Sequence, residues 1–125
     1  MRKIIEKAWD NRSLLKEKDT IENIKEVIKK LDNGEIRIAE KVDENWIVNE
    51  WVKKAVVLYF PIQKMKTIEC GPLEFHDKIP LKGDYASKEI RVVPHAIARY
   101  GSFINKGVIL MPSYVNIGAY VDSGT

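Results

Sequence analysis

Apolar and polar positions near the start of the chain follow the period of an α-helix. Ile4, Ile5, Ala8 and Trp9 fall on one face, which predicts a first helix over residues 3–17. This pattern indicates an amphipathic helix with one side packed against a core.

A second amphipathic pattern follows directly. Asp19 and Glu22 have the spacing of a capping box, which predicts a helix start at this point. Lys29 and Lys30 suit the last turn electrostatically, and Gly34 tolerates the positive φ of a helix end. The predicted buried stripe consists of Ile21, Ile24, Ile28 and Leu31, with Val27 beside it.

The pattern then changes to alternation. Residues 35–42 alternate as a strand does, 43–45 form a turn, and 46–48 return as a short partner strand. Asn49 is the predicted cap of a third helix, whose broad apolar stripe makes it the central helix. Pro61 is expected to stop this helix or its immediate continuation.

Loops with brief strands are expected between the third helix and the tail, because Gly and Pro interrupt the pattern repeatedly over 62–91. The stretch Ile90–Pro94 predicts a strand that leads into the last part of the chain.

The last part repeats every six residues. An apolar residue recurs at Ile97, Phe103, Ile109, Val115 and Val121, and a small one follows four positions later at Gly101, Gly107, Ser113, Ala119 and Thr125. This is the hexapeptide pattern of a parallel β-helix, whose apolar residue points to the coil axis. The alternative is a Gly-rich β-meander, which does not require two matched registers. We therefore predict an α+β domain over 1–91 and the start of a β-helix over 92–125.

Composition sharpens this division. Of the 39 charged residues, 21 basic and 18 acidic, only Arg99, Lys106 and Asp122 fall within 92–125. The net charge of +3 is too small to indicate nucleic-acid binding, and the paired lysines at 29–30 and 53–54 are expected to be solvated helix faces. No apolar run is long enough to cross a bilayer, and the charged N-terminus does not fit a signal peptide.

Four stretches together carry a family resemblance. The segments are LMPSYVNIGAYVDSGT at 110–125, IRVVPHAIARYGSFI at 90–104, LDNGEIRIAEK at 31–41 and NEWVKKAVVLYF at 49–60. In order and spacing they resemble the tetrahydrodipicolinate N-succinyltransferase family, over essentially the whole chain. The front domain argues against a different hexapeptide acyltransferase.

The resemblance implies a fold and an activity. The coil would be left-handed, an exception to the usual crossover rule, and the protein would be a cytoplasmic homotrimer with active sites between neighbouring subunits. The reaction would transfer succinyl from succinyl-CoA to the ring-opened form of tetrahydrodipicolinate, 2-amino-6-oxopimelate, in diaminopimelate and lysine biosynthesis. Succinyl-CoA would be a co-substrate, and no cofactor would be permanently bound. Two departures from the family concern loops: His95, and a shorter 81–90 loop.

Arg91 is the candidate substrate-binding residue. A dicarboxylate substrate needs a cationic anchor, which a bidentate arginine supplies well, and Arg91 matches the substrate-binding arginine of the family's RVVP motif. The alternative is a local ion pair with Glu89. The resemblance implies that the catalytic carboxylates and the CoA site lie beyond Thr125, so no catalytic or cofactor-binding residue is predicted within this chain.

Other chemically interesting residues are not predicted to form sites. Arg99 is expected to face solvent, and His76 and His95 are expected to be isolated, which argues against a metal-dependent β-helix enzyme. Cys70, the only cysteine, has no neighbouring histidine to activate it and fits a reducing compartment. Asp122 matches the family motif, but a structural role is favoured. No phosphate-binding glycine loop is present.

Two functional classes remain open. The first is an acyltransferase portion that is inactive by itself, because the repeat ends at Thr125 before the catalytic residues. The second is a non-catalytic β-helix module for assembly or regulation. In either case the few coils of 97–125 are expected to fray, or to be held by partner chains.

Overall fold

The computed structural model describes residues 1–125 and contains three α-helices: α1 (Arg2–Asp10), α2 (Lys18–Asp32) and α3 (Glu50–Ile62). All three predicted helices are therefore confirmed. The first is shorter than predicted, because Asn11 adopts an extended conformation (φ −135°, ψ 94°) and its side chain accepts a hydrogen bond from the Ser13 N–H at 3.2 Å. A 3-10 turn over Arg12–Lys16 replaces the predicted last turns.

The predicted capping box at the start of α2 is wrong. The helix begins one residue before Asp19, and the capping residue Glu17 makes no side-chain hydrogen bond. Asp19 instead lies in the first turn, where its carboxylate is favourable against the helix dipole. Its Oδ1 accepts a hydrogen bond from Nδ2 of Asn23 at 3.3 Å. The helix end is as predicted, with Gly34 at φ +79°.

The three helices pack around one buried cluster, in which α3 contacts both α1 and α2. The predicted stripe of α2 supplies Ile24, Val27, Ile28 and Leu31, each at most 3% exposed. The whole cluster consists of Ile5, Ala8, Ile24, Val27, Ile28, Leu31, Val52, Ala55, Leu58, Tyr59, Ile79 and Ile117. Since Ile117 belongs to the tail, the front and the tail share this core.

Two antiparallel hairpins extend from the helices. The first joins β1 (Ala39–Val42) to β2 (Asn45–Val48), so the predicted strand over 35–42 is only half as long as expected. The second joins β3 (Lys66–Cys70) to β4 (Leu73–Asp77), and these are the brief strands expected between α3 and the tail.

Six two-residue strands form the tail and pair in parallel. They are β5 (Arg91–Val92), β6 (Ile97–Ala98), β7 (Phe103–Ile104), β8 (Ile109–Leu110), β9 (Tyr114–Val115) and β10 (Tyr120–Val121). The pairs are β5 with β8, β6 with β9 and β7 with β10. Each of β5, β6 and β7 thus pairs with the third strand after it, so two short strands lie between paired strands along the chain.

The predicted inward positions are only partly correct. In the first three repeats the buried side chain is the second residue of each strand, namely Ala98, Ile104 and Leu110, whereas Ile109 is 49% exposed. The step from Leu110 to Val115 is five residues rather than six, which shifts the phase. Val115 and, with partial burial, Val121 therefore face inward as predicted. A strict six-residue period could not reveal this slip.

The glycines follow the same slip. Gly101, Gly107, Gly118 and Gly124 all have positive φ, and each lies three residues after an inward side chain. Gly101 also needs its small size, because a Cβ there would lie 2.6 Å from Cγ1 of Ile117. The inward residues form a second, smaller buried cluster: Ile90, Ala98, Ile104, Val108, Leu110 and Val115.

A buried ion pair lies where the end of α2 meets the tail. The ammonium of Lys82 contacts Oδ1 of Asp32 and lies 3.2 Å from the Asp32 carbonyl oxygen. The same Oδ1 accepts a hydrogen bond from the Gly101 N–H at 2.9 Å. The C-terminal end of α2 is thereby tied to the tail. None of the helices has the length and apolar character needed to cross a membrane.

Candidate functional site

Arg91 is the first residue of β5, and its side chain is exposed. Its N–H donates to the Val108 carbonyl at 3.0 Å, and it is the register partner of Ile109. The neighbour Ile90 is buried at 6% exposure. The backbone that carries Arg91 is therefore fixed on both sides, while the side chain points away from the core.

The guanidinium of Arg91 has no carboxylate partner within the chain. The expected local alternative, a pair with Glu89, does not form, because Glu89 lies 3.3 Å from the ammonium of Lys106. An exposed, uncompensated guanidinium on a fixed strand is available for a planar anion such as a carboxylate.

A separate groove of about 720 Å³ lies where the β3–β4 hairpin meets β6 and β9. Both histidines of the chain, His76 and His95, line it. They are separated along the sequence and lie on different segments, and the folding of the hairpin against the tail brings them to one groove. No local sequence pattern signals that proximity. Arg91 does not line this groove.

The prediction that Arg99 faces solvent is wrong. Its side chain is 17% exposed and donates from Nη2 to Oδ2 of Asp77 at 2.9 Å and from Nη1 to Oδ1 of Asn116 at 3.1 Å. The guanidinium carbon also lies 5.8 Å from the ring centroid of Tyr114, within the range of a cation–π contact. The hairpin that carries Asp77 folds over this strand and removes Arg99 from solvent.

Asp77 keeps its negative charge in this setting. Burial by itself would raise the pKa of its carboxyl group, but hydrogen bonds from the backbone N–H groups of Lys78 and Ile79, together with the Arg99 guanidinium, lower the pKa below its ordinary value. The opposite charges of Asp77 and Arg99 therefore neutralise each other.

Two other singled-out residues, Cys70 and Asp122, lie at the surface. Cys70 is a free, exposed thiol at the end of β3. Asp122 accepts hydrogen bonds from the Ser123 N–H at 2.8 Å and from Nδ2 of Asn105 at 3.2 Å, and these lower the pKa of its carboxyl group. This supports the structural role predicted for Asp122. No group of three or more His, Cys, Asp or Glu side chains is placed to hold a metal ion.

Comparison with known proteins gives a consistent result along the chain. A family model described as "Tetrahydrodipicolinate N-succinyltransferase N-terminal" matches residues 1–62. Relatives named 2,3,4,5-tetrahydropyridine-2,6-dicarboxylate N-succinyltransferase include one from Paraburkholderia phymatum, which is 48% identical over 99% of this chain and 49% of its own length.

A relative of the same name from Burkholderia cenocepacia is 48% identical over 98% of this chain and 48% of its own length. The corresponding Acinetobacter baylyi protein is 46% identical over the same shares. The chain thus spans about half the length of the curated relatives that it matches. These matches confirm the resemblance drawn from the sequence, and the chain belongs to the tetrahydrodipicolinate N-succinyltransferase family.

Proposed function

We propose that this chain is the N-terminal portion of an N-succinyltransferase that transfers succinyl from succinyl-CoA to the ring-opened form of tetrahydrodipicolinate. The relatives that support this proposal are named as N-succinyltransferases of 2,3,4,5-tetrahydropyridine-2,6-dicarboxylate. The step joins the substrate amine to the succinyl carbonyl carbon and releases the CoA thiol. It belongs to diaminopimelate and lysine biosynthesis, and we place it in the cytoplasm.

The observation that carries the proposal for this chain is the uncompensated guanidinium of Arg91. It is exposed on β5, directly after the buried Ile90, and the nearest acidic residue in sequence, Glu89, pairs with Lys106 instead. A dicarboxylate substrate requires such a group, and two parallel N–H···O bonds would fix the orientation of one carboxylate. Arg91 is therefore proposed to bind substrate.

We also propose that 92–125 begin a left-handed parallel β-helix, with 1–91 as a separate α+β domain. The parallel pairing of each short strand with the third strand after it supports a triangular coil. The shared placement of Ile117 in the front core means that such a domain boundary would be a tightly packed one. Homotrimer formation, with sites between subunits, belongs to the same proposal.

Catalysis needs groups that these residues do not supply. A general base must take the proton of the attacking amine, and donors must stabilise the oxyanion of the tetrahedral intermediate. The acidic residue nearest to Arg91 in the sequence, Glu89, is exposed and paired with Lys106. We therefore expect residues outside 1–125 to provide the base and the CoA site, and the chain alone to be inactive. Succinyl-CoA turnover by purified 1–125, measured by thiol release, would contradict this.

The test of the binding role uses the full-length enzyme. Arg91→Ala is expected to raise the substrate KM or abolish turnover while leaving the folded state intact, as checked by thermal unfolding. Arg2→Ala, which removes another exposed arginine, is the matched control and should change neither quantity. Under the alternative of a non-catalytic scaffold, Arg91→Ala would alter neither ligand binding nor activity.

A further inference from the structure

The groove between the β3–β4 hairpin and the tail has the size and lining of a small-molecule site. Its volume, about 720 Å³, lies in the usual range for such sites. Its walls combine apolar side chains with a few polar groups from separate chain segments. The apolar lining consists of Ile68, Phe75, Leu81, Ile97 and Pro112.

The hairpin wall is positioned by strand pairing. Ile68 and Phe75 are direct register partners and are both half-buried, so they present adjoining apolar surfaces. Tyr114, on the opposite side of the groove, is 59% exposed, and its ring lies beside the Arg99 guanidinium. Two aromatic rings on separate elements favour a ligand with a flat or compact apolar body.

The charges that line the groove exclude several classes of ligand. Asp77 is the only carboxylate in the lining, and it is already bonded to Arg99, so no free anion is available for an amine. No lysine lines the groove either. A ligand with several phosphates would lack the cations it needs.

The polar groups that remain available can each donate a hydrogen bond. His95 is exposed and has no hydrogen-bond partner within the protein, and the Tyr114 hydroxyl also has none. His76 uses Nδ1 toward Oγ1 of Thr67 at 3.2 Å, which leaves Nε2 free. Ser113 commits its proton to the Met111 carbonyl at 2.6 Å. This arrangement suits a ligand that brings acceptor oxygens.

We propose that this groove binds a small organic monocarboxylate with an aromatic or compact apolar body. The carboxylate accepts hydrogen bonds from the imidazoles and the Tyr114 hydroxyl beside the Arg99 guanidinium, and the body packs between Phe75 and Tyr114. The proposal does not depend on the acyltransferase assignment, because Arg91 does not line the groove and the test below does not measure activity.

The chain offers a direct readout, because it contains only two histidines and both line the groove. Proton NMR of their ring Cε1–H signals, assigned with His76→Gln, reports binding. Sodium benzoate is the probe, titrated at constant pH and ionic strength. We expect both signals to shift and saturate, with a Kd of about 1 mM.

Two matched probes separate the contributions. Benzamide keeps the ring and removes the charge, and acetate keeps the charge and removes the ring. Each is expected to bind at least about tenfold more weakly than benzoate, because each lacks one half of the recognition. If benzamide binds as tightly as benzoate, carboxylate recognition is wrong.

Two variants complete the test. His95→Ala removes one exposed donor and should weaken benzoate binding about fivefold, with an unchanged amide spectrum confirming the fold. Arg12→Gln, which alters an arginine that stacks on Trp9 away from the groove, is the control and should leave binding unchanged. Unsaturated, linear shifts of both histidines up to about 50 mM benzoate, or unchanged binding in His95→Ala, would overturn the proposal.

Discussion

Replacing Asp32 by asparagine tests the connection between α2 and the tail. The Asp32 carboxylate neutralises Lys82, whose side chain is only 4% exposed, and it also accepts the Gly101 N–H. Asparagine retains an oxygen for Gly101 but removes the charge. The buried ammonium of Lys82 is then left with only the carbonyl oxygen of residue 32 and the neutral amide.

The expected cost follows from this geometry. Removing one partner of a buried ion pair costs about 3–5 kcal/mol, and the oxygens that remain near Lys82 place this case at about 3 kcal/mol. For a chain of this size that corresponds to a fall in Tm of roughly 10 °C. Thermal unfolding followed by circular dichroism at pH 7 measures it.

The pH dependence gives a second, independent signature. Burial lowers the pKa of Lys82 below its ordinary value of 10.5, although the hydrogen bond and charge of Asp32 oppose that effect. Without the carboxylate the pKa falls further. At a pH between the folded-state and unfolded-state pKa of Lys82, the unfolded state binds more protons than the folded state. The free energy of unfolding therefore rises with pH in that interval. The loss in free energy of unfolding caused by Asp32→Asn should therefore become smaller as the pH rises from 7 toward 10.

Two controls make the reasoning refutable. Glu35→Gln removes a carboxylate from an exposed pair with Lys30 and should change the stability little. The double variant Asp32→Asn/Lys82→Met removes the stranded charge and should recover much of the loss. If Asp32→Asn behaves like Glu35→Gln, or if the double variant is no more stable than Asp32→Asn, the buried pair does not stabilise the junction.

Three further predictions concern the tail and the hairpin. Gly101→Ala should lower the free energy of unfolding, measured in urea, by about 3 kcal/mol, because Gly101 has φ +94° and a Cβ there would collide with the buried Ile117. Gly124→Ala should lower it by only about 1 kcal/mol, because φ is also positive there but the surrounding space is open. The Asp77 carboxyl, whose pKa is lowered, should stabilise the fold above pH 3.8 and lose that contribution as the pH falls through its folded pKa; Asp77→Asn should abolish this dependence in acid unfolding. Hydrogen exchange should show weaker protection over 97–125 than over the helices, and uniformly strong protection in a monomer would contradict this.

The front of the chain was largely predictable because its signals are local. An apolar stripe such as that of α2 must be buried, and eleven of the twelve residues in its cluster lie in the front of the chain. The details that failed there depend on single residues: Asn11 accepts a backbone N–H and splits the first helix, and Asp19 lies inside α2 rather than before it. Such competition between nearby hydrogen bonds leaves the hydrophobic period unchanged.

The tail was predictable in kind but not in phase. Its repeat predicted short strands and glycine turns, and both are present. A pattern in which Ile109 is also apolar does not reveal the five-residue step between Leu110 and Val115. The six-residue period therefore predicts the wrong one of two adjacent residues as inward in three repeats. No local pattern encodes the folding of the β3–β4 hairpin against the tail. That folding pairs Asp77 with Arg99 and places both histidines in the lining of one groove.

The uneven distribution of charge along the sequence has a structural consequence at the junction. The tail carries almost no charge and only a small buried cluster of its own, so it gains support from charged residues that reach across to the other part of the chain. Arg99 in the tail pairs with Asp77 in the front, and Asp32, which pairs with Lys82, accepts the N–H of Gly101 in the tail. Arg37 lies 3.8 Å from the Tyr120 ring centroid. These three cations are used for packing and pairing within the chain. Arg91 lies outside this set, with an exposed and uncompensated guanidinium, and that contrast is the physical reason to assign it to an external anion rather than to the fold.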